Sequence, residues 1–263
     1  MTAWNPDLYM QFGNERTQPA IDLISRINLT NPKRIVDCGC GSGNSTAVLR
    51  RRWPQAQIIG MDSSPEMLTE AKNSTPNQEW LLDDIKSWRP SSQVDLIFSN
   101  AALHWIPDHA ELISRLFGQV ASGGALAFQI PSVTQSILHS LIHDTANHPE
   151  WQDRMIAAKA VLTSETAAFY YDVLGSKASS IDIWETEYFH VMADHDKVID
   201  WLTSTRLRPF LDCLKTRAEQ RKFLSNLHER LLLAFPQQKN GKILFPFRRL
   251  FLIAYLRARP EIT

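Results

Sequence analysis

Three glycines at alternate positions, between an apolar strand pattern and a helix pattern, constrain this chain more than any other feature. Residues 35–46 read Ile-Val-Asp-Cys-Gly-Cys-Gly-Ser-Gly-Asn-Ser-Thr. Because glycine lacks a Cβ, it adopts positive φ and lets a ligand approach the backbone, and the helix that follows presents unpaired N–H groups. The stretch therefore predicts a strand–loop–helix unit that binds a nucleotide cofactor.

The spacing of these glycines and the acid before them distinguish between classes of cofactor. Dinucleotide-binding loops read G-x-G-x-x-G and place a pyrophosphate at a helix N-terminus. Here Gly39, Gly41 and Gly43 alternate, and Asp37 lies two residues before the first glycine. A carboxylate there would repel a pyrophosphate and suits a ligand that carries an ammonium and a sulfonium. The alternative, a tight turn without a ligand, loses backbone entropy without an obvious packing return.

A second acid supports the same interpretation. Residues 57–61 predict a second strand, which ends at Asp62, 25 residues after Asp37. In doubly wound sheets, an acid about 20 residues beyond the glycine loop accepts hydrogen bonds from the ribose hydroxyls. Asp-Ser-Ser-Pro is also a good helix start, and the two roles are compatible. We expect Asp62 and Ser63 to contact the cofactor.

Composition excludes several classes of partner. The 263 residues include 28 basic and 28 acidic side chains, so no net field favours nucleic acid or an anionic membrane. No apolar run reaches about 20 residues, and the N-terminus lacks a basic-then-apolar signal, so we expect a cytoplasmic protein. No obligate protein partner is evident.

Cysteines and histidines give no metal or disulfide pattern. Cys38, Cys40 and Cys213 form neither a disulfide framework nor a zinc spacing, and we interpret them as small, partly buried thiols. His139 and His143 have the i, i+4 spacing of metal ligands, but the glutamate of H-E-x-x-H is missing. We expect no metal.

Alternating strand and helix patterns define the fold class. Repeated strand–helix units predict an α/β fold with a Rossmann-like, doubly wound, mostly parallel seven-stranded sheet and helical cap insertions. Within the first half, a helix is expected over 110–121 and the fifth strand over 125–130. We predict a single domain, 1–263, with these parts: an N-terminal lid segment and helix (1–30), a cofactor-binding half (31–131), helical cap insertions (132–163 and 194–240), and a late helix with closing strands (164–193 and 241–263).

The ends of the third and fourth strands supply further candidates, because ligands of open α/β sheets bind beyond the carboxyl ends of the strands. After the third strand, Asp84 can accept from the exocyclic amine of adenine while Ile85 covers a ring face. After the fourth strand, Asn100 and Trp105 can contact another part of the cofactor, although Trp105 could equally serve simple packing.

The glycine motif with Asp37, and the acid followed by an apolar residue at Asp84, resemble class I S-adenosylmethionine-dependent methyltransferases. A second set of motifs, spread over nearly the whole chain, resembles one family of that class, the bacterial trans-aconitate 2-methyltransferases, which methylate a carboxylate of a tricarboxylic acid. His104 departs from the glutamine common in that family, and cysteines flank Gly39 where leucine is commoner. The stretches that carry the family resemblance are 4–9, 15–16, 100–109, 182–184, Tyr188-x-His190 and 207–209.

The resemblance implies a transfer that needs no general base, because a carboxylate with a pKa near 4 is already a nucleophile at neutral pH. The carboxylates that do not react need cationic partners, and guanidinium binds carboxylate bidentately. Taken singly, the arginines are equally compatible with surface positions or salt bridges, and His190 with a core histidine. The residues implied for the acceptor are Tyr9, Arg16, His104, Tyr188, His190, Arg208 and Arg249.

Three alternatives remain open at this point. The loop after the fourth strand is also compatible with malonyl-carrier-protein O-methyltransferases of biotin synthesis. A non-catalytic, cofactor-binding regulator would retain the same glycines and acids. An NAD(P)-dependent oxidoreductase is the third alternative, and the glycine spacing disfavours it.

Overall fold

The computed structural model describes residues 13–132, 136–160 and 165–258, and it describes side chains from residue 17 onward. A seven-stranded sheet with the order β3-β2-β1-β4-β5-β7-β6 forms its framework. Strands β1 to β5 pair in parallel, and β7 runs antiparallel to β5. The strands are β1 (Arg34–Cys38), β2 (Gln57–Asp62), β3 (Glu79–Leu82), β4 (Val94–Asn100), β5 (Val120–Pro131), β6 (Ser180–Met192) and β7 (Ile243–Tyr255).

Helices connect these strands. Between β1 and β5 each helix follows a parallel strand, which is the pattern of repeated β–α units. Short 3-10 turns cover Leu103–Trp105 and Gln152–Met155. The described helices are α1 (Gly13–Arg26), α2 (Asn44–Arg52), α3 (Pro65–Ser74), α4 (His109–Phe117), α5 (Ile137–Ala146), α6 (Ile156–Ala160), α7 (Ala167–Leu174), α8 (His195–Thr203), α9 (Arg208–Asp212) and α10 (Arg217–Ala234).

The register of the parallel strands brings their carboxyl ends to one edge of the sheet. Cys38 at the end of β1 pairs with Met61 in β2, and Asn100 at the end of β4 pairs with Gln129 in β5. The Ser99 hydroxyl donates to Cys38 O at 2.7 Å, which ties the ends of β4 and β1 together. This edge is where the predicted cofactor loops emerge.

The chain divides into two compact units. The first, here called the sheet unit, comprises the described residues of 16–132, 164–186 and 249–263. Its core packs β1, β4, β5 and the end of β7 against α4 and α7, with Leu126, Phe128 and Tyr170 fully buried. No helix in the described ranges has the length and apolarity required to cross a membrane.

The second compact part, here called the helical unit, comprises the described residues of 1–15, 133–163 and 187–248. It has its own apolar core around Trp151, Trp201 and Phe223. The described residues of both predicted helical insertions, 132–163 and 194–240, belong to this unit apart from Ser132. Residues 187–192 of β6 and 243–248 of β7 belong to it as well.

The predicted helix over 110–121 is wrong at its end. The helix α4 stops at Phe117, and β5 begins at Val120, earlier than the predicted strand start at 125. Val120 is fully buried and pairs with Val94, so burial and strand pairing outweigh the local helix pattern.

Candidate active site

The glycine loop after β1 requires its glycines for two separate reasons. Gly39, Gly41 and Gly43 have φ of 74°, 54° and 91°, in the region that side chains disfavour. A Cβ on Gly39 would lie 2.2 Å from Ala102 Cβ, and one on Gly43 would lie 2.5 Å from Trp80 Cη2. The loop is therefore packed too closely for any residue except glycine at positions 39 and 43.

The Asp62 carboxylate connects this loop to the start of helix α3. Its Oδ2 accepts from Gly41 N and its Oδ1 accepts from Ser64 N, both at 2.9 Å. A carboxylate oxygen has more than one acceptor direction, so the half-buried group retains capacity for a ligand diol. Ser63, the next residue, is exposed.

Asp37 lies fully buried at the end of β1. Its Oδ2 accepts from Ser45 Oγ at 2.7 Å and from Thr46 Oγ1 at 2.6 Å. No residue in the described part of the chain donates a hydrogen bond to its Oδ1. Burial raises the pKa of Asp37 to about 6, against the two hydroxyl hydrogen bonds, which lower it. A buried carboxylate with one unused oxygen suits a cationic ligand group.

The two candidates after the third strand, Asp84 and Ile85, differ in their exposure to solvent. Asp84 is exposed, and its Oδ1 accepts from Lys86 N at 2.9 Å. Ile85 is buried, and its Cδ1 lies 3.5 Å from where a Cβ on Gly39 would sit. The polar group is therefore available to a ligand, while the apolar side chain adjoins the glycine loop.

The fourth strand end carries backbone strain. Ala101, directly after Asn100, has a φ of 55°, which costs about 1 kcal/mol or more for a residue with a Cβ. Its N–H donates to Gln129 O at 2.9 Å. In the following 3-10 turn, His104 is buried, Trp105 is 38% exposed, and their ring centroids lie 4.9 Å apart. Asn100 and Trp105 thus lie at the same sheet edge as the glycine loop.

Gln129 is a further candidate for the site, which the sequence did not indicate. It is fully buried near the carboxyl end of β5, and its Oε1 accepts from Arg249 Nη1 at 3.1 Å. Its Nε2 has no hydrogen-bond partner among the residues that the structure describes. The available signal was a lone amide in the apolar run 125–130.

The residues implied for the acceptor are distributed over both units. His104 and Arg249 lie in the sheet unit, and Arg249 is only 3% exposed. Tyr188, His190 and Arg208 belong to the helical unit, where the His190 ring lies 4.9 Å from Trp201. Arg16 is described only by its backbone in α1, and Tyr9 lies outside the described residues.

The two loop cysteines are expected to resist alkylation. Burial raises the pKa of both Cys38 and Cys40 far above the ordinary thiol range, so the reactive thiolate is absent at neutral pH. Cys213 is partly exposed. We expect iodoacetamide at pH 7.5 to modify one cysteine per native chain and three per unfolded chain, as counted by intact mass. Rapid native modification of Cys40 would contradict this packing.

Fold and site together define the class. The sheet order with an antiparallel β7, the packed glycine loop and the acids at the ends of β1 and β2 are those of an S-adenosylmethionine-dependent methyltransferase. A family profile described as a methyltransferase domain matches residues 35–124.

Solved structures share the fold. YcgJ protein from Bacillus subtilis has a TM-score of 0.60 at 13% identity, with 92% of this chain and 100% of that chain covered. Phosphoethanolamine N-methyltransferase 2 from Haemonchus contortus, in complex with S-adenosyl-L-methionine, has a TM-score of 0.54 at 14% identity, with 92% and 53% covered.

Curated relatives then specify the family. Trans-aconitate 2-methyltransferase from Escherichia coli O1:K1 is 43% identical over 254 residues, which cover 97% of this chain and 98% of the relative. The enzyme of the same name from Shigella flexneri matches with the same identity and coverage. The chain belongs to the trans-aconitate 2-methyltransferase family, and the resemblance found in the sequence is confirmed.

Proposed function

We propose that this protein transfers the methyl group of S-adenosylmethionine to a carboxylate of trans-aconitate. The observation that carries the choice of acceptor is Arg249, a buried guanidinium held by Gln129. Because β7 runs antiparallel to β5 and Arg249 pairs with Pro131, this cation lies at the carboxyl end of β5, on the edge where ligands bind. A fixed, always charged guanidinium suits a multiply charged carboxylate, and the 43% identity to relatives of that name supports the same acceptor.

The residues of the sheet edge fit S-adenosylmethionine. Asp62 has acceptor capacity left for the ribose hydroxyls, and Asp84 and Ile85 are our candidates for the amine and the ring face of adenine. Asp37, with its unused buried oxygen, suits the cationic end of the cofactor, for which Asn100 and Trp105 are further candidates. When bound, S-adenosylmethionine supplies an electrophilic methyl group on a sulfonium.

The protein's own contribution to the transfer is positioning. The acceptor carboxylate is ionised at neutral pH and needs no general base, so the site has to hold it in line at about 3 Å and exclude water. Attack by a carboxylate on a sulfonium cancels charge, which a dry site favours. We infer that Arg249 holds a carboxylate that does not react, since tight pairing would blunt the nucleophile.

The test is an incubation of the protein with radiolabelled S-adenosylmethionine and a panel of acids. Methyl transfer to trans-aconitate supports the proposal, and cis-aconitate, citrate and a malonyl-loaded acyl carrier protein are the comparisons. Transfer only to the carrier protein would favour the biotin-pathway alternative. Cofactor binding without any transfer would favour a regulator.

Cofactor affinity should depend on the ionisation of Asp37. The pKa of about 6 lies above the ordinary 3.8, so the carboxylate becomes protonated as the pH falls through 6 and ceases to offset the cofactor's positive charge. We expect a constant dissociation constant above about pH 7 and a loss approaching about tenfold per pH unit below 6. Calorimetric titrations from pH 5 to 8 measure it.

The matched control is Asp37→Asn, which keeps the shape but cannot titrate. This variant should bind weakly at every pH, with a flat profile over the same range. A wild-type profile that is equally flat would show that Asp37 does not face the cofactor's charge.

Replacing Arg208 should affect the acceptor more than the cofactor. We expect Arg208→Ala to raise the KM for trans-aconitate by about tenfold, because one charge-assisted hydrogen-bond pair is lost, and to leave the cofactor KM unchanged. Arg217→Ala removes an exposed arginine from the same unit and serves as the control. If the two variants have the same acceptor KM, Arg208 does not bind the acceptor.

A further inference from the structure

A small cavity in the helical unit is lined by basic side chains. Its basic members are His139 and His143 from α5, Lys159 from α6, and Arg206 between α8 and α9. The remaining lining is apolar: Ile142, Ala158 and Phe210. The cavity is small and open to solvent, and no carboxylate lines it. None of these residues belongs to the predicted cofactor or acceptor site.

Arg206 is the strongest sign that this cavity holds a ligand. The residue is 93% buried, since only 7% of its surface is exposed. Burial lowers the pKa of its guanidinium to about 10, with no carboxylate or hydrogen bond to offset the desolvation. In the described ranges, its guanidinium makes no hydrogen bond or ion pair. A buried charge without a partner is costly, so folded proteins pair such groups.

The two histidines beside Arg206 are held neutral. They lie one turn apart on α5, with ring centroids 4.0 Å apart at 38°. Burial, His143 and Arg206 lower the pKa of His139 to about 4. Burial, Lys159 and Arg206 lower the pKa of His143, and Asp144 opposes them. An anion in the cavity would raise the pKa of both histidines and favour their protonated forms.

We propose that this cavity is an oxyanion site, which takes a carboxylate, sulfate or phosphate group on Arg206 with His139 and His143 as further donors. The chemistry of the lining excludes a cation, because Arg206 and Lys159 are positive and no acidic group faces inward. The inner part has room for about one water-sized group, so one or two oxygens of an oxyanion enter and the rest of the ion lies at the mouth. Lys159, which lines the cavity and donates to Asn147 Oδ1, is a second cation there.

Thermal unfolding of the full chain tests the site. Sodium sulfate and sodium chloride are compared at equal ionic strength, for the wild type, Arg206→Met and the control Arg217→Met. Sulfate stabilises all proteins somewhat by exclusion from their surface, and the control measures that part. Because a ligand of the native state alone raises stability with concentration, we expect an extra sulfate-dependent rise in Tm for the wild type and the control that Arg206→Met lacks.

The Tm of Arg206→Met without sulfate distinguishes a binding role of the arginine from a structural one. Without sulfate, this variant should have a Tm equal to or above that of the wild type, since it replaces an unpaired buried charge by an apolar side chain of similar length. Equal responses of Tm to sulfate in the wild type and Arg206→Met would overturn the proposal. A variant that fails to fold would also overturn it, because the arginine would then be paired within the protein.

Proton uptake tests the part played by the histidines. Calorimetric titration with sulfate at pH 6, in two buffers of different ionisation enthalpy, should show fractional proton uptake on binding. His139→Asn should reduce that uptake while sulfate still binds. Sulfate binding to the wild type without any proton uptake would remove the histidines from the site.

Acceptor kinetics identify the source of the oxyanion. If sulfate raises the KM for trans-aconitate in the wild type but not in Arg206→Met, the site takes a carboxylate of the acceptor. If sulfate binds and the acceptor KM is unchanged, the site takes a free oxyanion. Both results require binding at Arg206, and the unfolding experiment remains valid even if the protein methylates a different acid.

Discussion

Gly39→Ala is expected to lower kcat/KM for S-adenosylmethionine by about 100-fold. The new Cβ would lie 2.2 Å from Ala102 Cβ, where two carbons in contact need about 3.5 Å or more, so the loop or the strand end must move by about 1 Å. Displacements of that size in a positioned site cost about 100-fold in rate. The φ of 74° adds strain of about 1 kcal/mol. Steady-state kinetics and calorimetric cofactor titration measure both effects.

Gly241 provides a matched control for this prediction. Its φ of 78° is nearly the same as that of Gly39, but a Cβ there would meet nothing within 4 Å. Gly241→Ala should therefore lose about 1 kcal/mol of stability and keep full cofactor affinity. Adding Ala102→Gly to Gly39→Ala removes the clash but not the strain, and it should restore part of the activity. Normal kinetics for Gly39→Ala would mean that the loop is not the cofactor site.

Local patterns predicted the part of the fold that carries the cofactor loop. The strand expected over 57–61, with its end at Asp62, is β2 (Gln57–Asp62), and the strand and helix patterns on either side of the glycine loop are β1 and α2. Asp62 at the tip of β2 follows from the same logic. The family and the fold class are confirmed, while the roles of individual site residues stay predictions.

What the sequence could not supply depends on contacts between distant segments. The early start of β5 at Val120 arises from its pairing with Val94, and no local pattern encodes that choice. Gln129 becomes a candidate only through the register that places it beside Asn100 and against Arg249. The sequence did not single out Arg206 as a candidate binding residue. Its proposed role depends on its burial without a partner, and the sequence does not show whether an arginine is buried.

Asp62→Asn is expected to weaken cofactor binding by about 100-fold. The carboxylate accepts from Gly41 N on one oxygen and from Ser64 N on the other, and an amide can replace only one of these acceptors. The other backbone N–H then faces an NH₂ group, so the loop and the start of α3 lose their connection while the ribose loses a charged acceptor. A hydrogen bond to a charged group contributes about 1.5–3 kcal/mol, and the upper part of that range corresponds to about 100-fold in affinity.

Asp95→Asn is the control that distinguishes the loss of a cofactor-binding carboxylate from the loss of a purely structural one. Its Oδ2 accepts from Lys33 N at 2.6 Å and Arg34 N at 3.0 Å, at the opposite edge of the same sheet. Both aspartates therefore hold two backbone amides, and both asparagine variants should lose comparable thermal stability. Only Asp62→Asn should lose cofactor affinity, measured by calorimetry below the Tm of either variant. If Asp62→Asn and Asp95→Asn bind the cofactor equally well, Asp62 only holds the backbone amides. The ribose would then bind elsewhere.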